Sequence, residues 1–175
     1  GSISTNNAAE AVTKEDSVFV AGCTDLIGCA RDLQVQVFAG GDGRVFGVDV
    51  FSSDKFDFDG EFAVATPKGG RSVNIIQYDG NDNTFALDTS GLQGADRDFT
   101  DGGLATGIRF SAVSDLATTY TIELFTPNGG TCRGVVAFPV VVGTDYTRND
   151  INTDLDYSQF TGDCVLTNIG AAQIT

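Results

Sequence analysis

Short runs in which apolar and polar residues alternate constrain the fold of this chain more than any other feature. In Leu33-Gln34-Val35-Gln36-Val37 every second side chain is apolar, and Thr119-Tyr120-Thr121-Ile122-Glu123-Leu124 alternates in the same way. A period of two sends successive side chains to opposite faces of an extended strand, and no stretch carries the stripe of an amphipathic helix. Runs rich in Val, Ile, Phe and Thr cover 33–38, 44–51, 61–66, 71–78, 84–88, 107–113, 119–126, 132–142 and 165–175. Turn vocabulary separates them: Gly40-Gly41-Asp42-Gly43, Pro67-Lys68-Gly69-Gly70, Tyr78-Asp79-Gly80-Asn81-Asp82-Asn83 and Pro127-Asn128-Gly129-Gly130. About nine strands without helices predict an all-β fold of two packed antiparallel sheets. A jelly-roll-like β-sandwich is the first expectation and an immunoglobulin-like topology the alternative.

A chain of 175 residues is most economically one domain. Residues 1–17, GSISTNNAAEAVTKEDS, are polar and follow neither period. They read as an extended N-terminal arm, followed by a single β-sandwich domain over 18–175.

Charge narrows the partners. Twenty-four acids face ten bases, a net charge of −14, and only four of the acids are Glu (Glu10, Glu15, Glu61, Glu123). Asp is the acid of turns and of hard-cation sites. So negative a chain repels nucleic-acid phosphate and anionic membranes, and no apolar stretch is long enough to span a bilayer. Neither nucleic acid nor membrane insertion is expected.

Four cysteines, Cys23, Cys29, Cys132 and Cys164, suit two disulfides and an extracellular or cell-surface location. Three pairings are open. Cys23–Cys29 with Cys132–Cys164 is preferred because the first two are so close in sequence. The spacing Cys23-x5-Cys29 is too wide for a zinc knuckle, and the chain has no His. The start on Gly1-Ser2 reads as a tag remnant or as the mature end left by signal-peptide removal.

The absence of His also removes Ser-His-Asp and Cys-His catalysis. A glycosidase needs two carboxylates, yet only Glu61 and Glu123 fall within strand patterns, in unrelated segments. Gly40–Gly47 is glycine-rich, but strands flank it where a phosphate loop needs a helix. No enzyme is expected, and no catalytic residue is assigned. A glycan partner would need exposed rings from Tyr78, Tyr120, Tyr146 or Tyr157, or the edge formed by Phe56, Phe58 and Phe62. Trp is absent and the Phe residues read better as core.

Three Asp-rich segments are candidate Ca²⁺ sites, because calcium takes six to eight oxygens from carboxylates, amides and carbonyls. Asp79, Asn81 and Asn83 have the alternate spacing of a calcium loop, but the segment lacks the following glycine and the distal acid. It reads more readily as a hairpin turn. Asp96, Asp98 and Asp101 could converge over Gly102-Gly103 with Phe99 as an anchor; equally they form a solvated loop, and Arg97 argues against a tight cage. Asp150, Asn152, Asp154 and Asp156 would share one face of an extended strand, opposite Ile151 and Leu155, where a cation or a basic neighbour would relieve their repulsion.

Several short motifs carry a resemblance. Ile27-Gly28-Cys29-Ala30-Arg31-Asp32-Leu33, Tyr78-Asp79-Gly80, Gly91-Leu92-Gln93-Gly94-Ala95-Asp96 with Thr100 and Gly102-Gly103, and Leu166-Thr167-Asn168-Ile169-Gly170-Ala171 are similar to segments of β-sandwich domains in secreted bacterial surface and extracellular-matrix proteins. Cys29 and Ala30 depart from that pattern, which has Gly and Glu there. The resemblance implies a secreted, non-catalytic sandwich; domains of that group continue past the last motif into one more strand, where this chain stops at Thr175. It therefore implies a sheet edge that the arm at 1–17 would cover, in its own molecule or in a neighbour's. Together these features predict an extracellular structural or adhesive subunit. It is expected to self-associate into filaments or a surface layer by strand addition, with calcium assisting. The alternative is a calcium-dependent carbohydrate-binding module.

Overall fold

The computed structural model describes residues 2–5, 12–19, 21, 27–38, 46–51, 61–64, 71–112, 117–138 and 151–175. The chain is all-β and sandwich-like, with antiparallel strands; among the described residues the sole helical elements are short 3₁₀ turns. It divides into two compact units, residues 1–87 and 88–175.

The first unit holds β1 (Ser2–Thr5), β2 (Val12–Phe19), β3 (Ala30–Phe38), β4 (Phe46–Phe51), β5 (Glu61–Val64) and β6 (Arg71–Tyr78). One sheet runs β1-β4-β5, and the strands β2, β3 and β6 lie side by side in that order reversed, β6-β3-β2. β3 is central, pairing with β2 from Ala30↔Phe19 to Val37↔Val12 and with β6 from Asp32↔Gln77 to Phe38↔Arg71. Its alternation decides its faces: Leu33 and Val35 are buried apolar residues on one side, while Asp32 and Gln34 are buried on the other. On that polar face the amides form a ladder. Gln36 Nε2 donates to Gln34 Oε1 at 2.5 Å, and Gln34 Nε2 donates to Glu15 Oε1 at 2.8 Å.

The polar N-terminal stretch folds onto its own chain. Ser2–Thr5 pairs with β4, and Val12–Phe19 runs along β3 from Ala30 to Val37. Pairing with an apolar central strand supplies the order that the local sequence does not, a tertiary effect that overrides propensity.

The second unit holds β7 (Gly107–Ala112), β8 (Thr118–Phe125), β9 (Thr131–Phe138), β10 (Ile151–Asp156), β11 (Thr161–Gly162) and β12 (Ala171–Ile174). Four strands lie in the order β11-β9-β8-β12, and β10 pairs with β7 as a two-stranded ribbon. Inward residues of β8 and β9 (Ile122, Leu124, Cys132, Val136, Phe138) are buried, and the intervening Arg133, Val135 and Ala137 are exposed. The ribbon packs closely on this inward face. A Cβ on Gly134 would lie 2.6 Å from Leu155 Cδ2 and 2.9 Å from Phe160 Cζ, so β9 needs a glycine where β10 crosses it. Leu92, Ile169, Ala171 and Ala172 complete this core.

β8 and β9 are joined at Thr126–Gly130 by a tight hairpin. Gly129 N donates to Thr126 O at 3.0 Å, and Thr126 N donates to Gly130 O at 2.8 Å. Gly129 sits at φ +93°, the left-handed position that closes a type I turn with a bulge. Cys132 and Cys164 are joined by a disulfide, Cα–Cα 5.1 Å, beside the short β9–β11 pairing. This is the preferred pairing. Cys29 is also disulfide-bonded, and Cys23 lies outside the described residues.

One expected strand is not formed. Thr84–Asp88 bends at Thr84–Ala86 and forms no strand, because side chains take over the backbone hydrogen bonds there. Asp82 Oδ1 accepts from Thr84 N at 2.9 Å, Asp82 Oδ2 from Thr84 Oγ1 at 2.9 Å, and Thr84 Oγ1 from Ala86 N at 3.3 Å. Such local bonds offer the backbone an alternative to a ladder.

Candidate metal centre

The acid-rich segments meet three different fates. In Asp96–Gly103 the carboxylates do not converge. Asp96 is exposed on a 3₁₀ turn (Gly94–Arg97) and Asp101 is exposed at φ +48°. Asp98 turns onto its own loop instead: Oδ1 accepts from Thr100 N at 2.9 Å and Thr100 Oγ1 at 2.6 Å, and Oδ2 from Gly102 N at 2.9 Å. The Thr100 hydroxyl, with the Gly102 and Thr100 amides, holds the Asp98 carboxyl below the usual range.

Arg97 does not neutralise its neighbours. It reaches back to carbonyls, donating from Nε to Leu92 O at 2.5 Å and from Nη2 to Ser90 O at 2.9 Å, with Nη1 3.5 Å from Asn168 Oδ1. Phe99 N donates to Leu166 O, Ile169 N to Arg97 O, and the Tyr157 hydroxyl to Phe99 O. This segment is a structural clip.

In the third segment Asp150 lies outside the described residues, and Asn152 is placed in β10 opposite Ser111. The expected two-faced strand is formed: Leu155 is buried while Asp154 and Asp156 are exposed. A basic neighbour, not a cage, meets the acids. Arg109 on β7 pairs with Asp154 through two bonds of 2.6 and 2.9 Å, and the Asp156 N–H donates to Gln159 Oε1 at 2.9 Å.

The first segment behaves differently. Asp79 directly follows β6 and is 1% exposed; Asp32, on β3, is 3% exposed. Carboxylate oxygens of Asp32, Asp79 and Asp82 all lie within 4.8 Å of one another, and among the described residues this is the one such group. The backbone explains the convergence. Asp32 is opposite Gln77 across the β3–β6 pair, and Asp79 comes two residues after Gln77, on the same side of the strand. Gly80, at φ +89°, then turns the chain so that Asp82 comes back toward Asp32, and Asn83 follows at φ +59°. The neighbouring Arg31 serves the opposite face, where its guanidinium is bonded to Tyr78; burial nevertheless pushes the Tyr78 hydroxyl up.

A small cleft opens beside the triad, lined by Ser17, Phe19, Ala30, Asp32, Gly80, Asn81 and Asn83. Its volume, about 10 Å³, leaves room for little more than one water molecule or ion, far below the several hundred Å³ of pockets that enclose small organic ligands. Of the residues expected from sequence, Asp79 belongs to the triad while Asn81 and Asn83 border the cleft. Asp82 and Asp32 are additions. The available signal for Asp32 was a lone carboxylate in an alternating strand, on the face opposite Leu33.

Electrostatics makes the triad demanding. Two unit charges 4.8 Å apart repel by about 3.5 kcal/mol at an effective dielectric of 20, and burial adds a desolvation cost to each. A cation between the oxygens would reverse the sign of that energy. The donors are all oxygen, which selects hard divalent ions over zinc or copper. No protein-family model, no curated protein and no solved structure matches this chain.

Proposed function

We propose that the chain is an extracellular structural β-protein whose first unit is locked by a calcium ion on Asp32, Asp79 and Asp82. The observation that carries this reading is the gathering of two buried carboxylates and a third within 4.8 Å, beside a small cleft that Asp32 lines together with Asn81 and Asn83. The ion would tie β3 to the loop after β6 and offset the repulsion of the acids. The small cleft favours a bare or partly hydrated ion over a sugar ring. The disulfides support a location outside the cell, and among the described residues no helix is long and apolar enough to cross a membrane. β2 already lies beside β3 within the chain, so the reading does not call on an arm donated by a neighbour.

Thermal unfolding in chelator, in magnesium and in calcium tests it. Calcium is expected to raise the midpoint and Asp32→Asn to abolish the shift. An unchanged midpoint across a wide calcium range would overturn the cation reading.

A further inference from the structure

The tip of the β8–β9 hairpin presents the one Asn-Gly pair of the sequence, Asn128-Gly129. Both residues are exposed, and nothing lies within 4 Å of where a Cβ on Gly129 would be. Asparagine next to glycine is the chemically weakest amide in a chain, because no side chain shields the following backbone nitrogen. We propose that Asn128 is a site of spontaneous covalent modification, converting to aspartate and isoaspartate through attack by the Gly129 nitrogen.

The step balances without an oxidant. The Gly129 amide nitrogen loses its proton to base and attacks Asn128 Cγ. A new C–N bond forms, the Cγ–Nδ2 bond breaks, and ammonia leaves with the proton. Water then opens the resulting five-membered imide at either carbonyl. One opening gives aspartate; the other moves the backbone through the side chain and gives isoaspartate.

The hydrogen bond from Gly129 N to Thr126 O restrains the attacking nitrogen, so reaction proceeds through opening of the tip. That opening is local: the hairpin below it is fixed by the Cys132–Cys164 disulfide and by Thr131 N donating to Asp163 Oδ1 at 3.1 Å. The product places a new carboxylate at the tip, and isoaspartate adds one backbone atom to a turn whose closure depends on register. Asn168 is the internal contrast. Ile169 follows it with a branched, fully buried side chain, and its amide lies beside Arg97.

The experiment ages the intact protein in warm, mildly alkaline buffer beside a synthetic peptide of residues 124–132. Both are then reduced and mapped by mass spectrometry. Cleavage after Arg109 and Arg133 isolates residues 110–133, in which Asn128 is the sole side-chain amide. This fragment is expected to gain about 1 Da, to split into two chromatographic forms, and to accept a methyl group from an isoaspartyl methyltransferase. The gain should rise with hydroxide concentration and disappear in Asn128→Gln, while Asn168 stays unchanged. Conversion of the peptide with no conversion of the folded protein would overturn the proposal. So would equal conversion at Asn168.

Discussion

The two aspartate-rich loops of this protein, Asp79–Asn83 and Asp96–Gly103, look alike in sequence and end in opposite states. In the second, Asp96 and Asp101 face solvent and Asp98 is satisfied by the amides and hydroxyl of its own turn. In the first, Asp79 is buried and meets Asp32 and Asp82. The difference lies in what stands next to the loop. Asp79 continues a strand whose register partner carries another carboxylate opposite Gln77, two residues back, whereas Asp98 sits in a turn closed by its own backbone. Acid density along the chain therefore counts for less than the acid a neighbouring strand brings.

The contrast can be broken from several sides. The largest effect is expected from Cys132→Ser with Cys164→Ser. Opening a loop of 32 residues should cost the second unit about 3–4 kcal/mol, read by chemical denaturation, and leave the calcium response of the first unit intact. Next comes the ion itself. At a hundredfold excess over its dissociation constant, calcium should stabilise the native protein by about 2.7 kcal/mol. Asp79→Asn should remove that gain, and Asp98→Asn should not. A calcium response lost equally in both variants would erase the distinction between the loops.

A smaller effect belongs to acid. The Asp98 carboxyl is held low in the folded protein, so its contribution is present above the ordinary carboxylate pKa and fades as pH falls through the lowered folded value. Asp98→Ala should therefore narrow the gap between neutral and strongly acidic unfolding midpoints. The smallest effect is expected from Arg109→Ala. The Arg109–Asp154 pair is well exposed, 69% and 57%, and water and salt screen it. Its removal should leave the unfolding midpoint within experimental scatter.

Much of the scaffold was legible because strands buried on at least one face must alternate. β6 begins and ends where its pattern does, at Arg71 and Tyr78. β2 was not legible. Val12-Thr13-Lys14-Glu15-Asp16-Ser17 has no apolar face of its own, and the strand forms because β3 offers a partner. Thr84–Asp88 erred the other way: the residue types suit a strand, but Asp82 and Thr84 capture the backbone first.

The candidate site divides along the same line. Asp79, Asn81 and Asn83 were legible as a local oxygen-rich loop. Asp32 lies 47 positions earlier than Asp79, and only the β3–β6 register joins them. A single sequence encodes the loop locally and the register globally, which is why Asp32 stayed hidden.

The Cys132–Cys164 bond has one more consequence. It encloses all of β10 and most of β9 within a covalent ring. A protease that severs one peptide bond inside that ring releases no fragment, since both new ends remain tethered through sulfur. A first cut inside the ring therefore becomes a scar and not a loss.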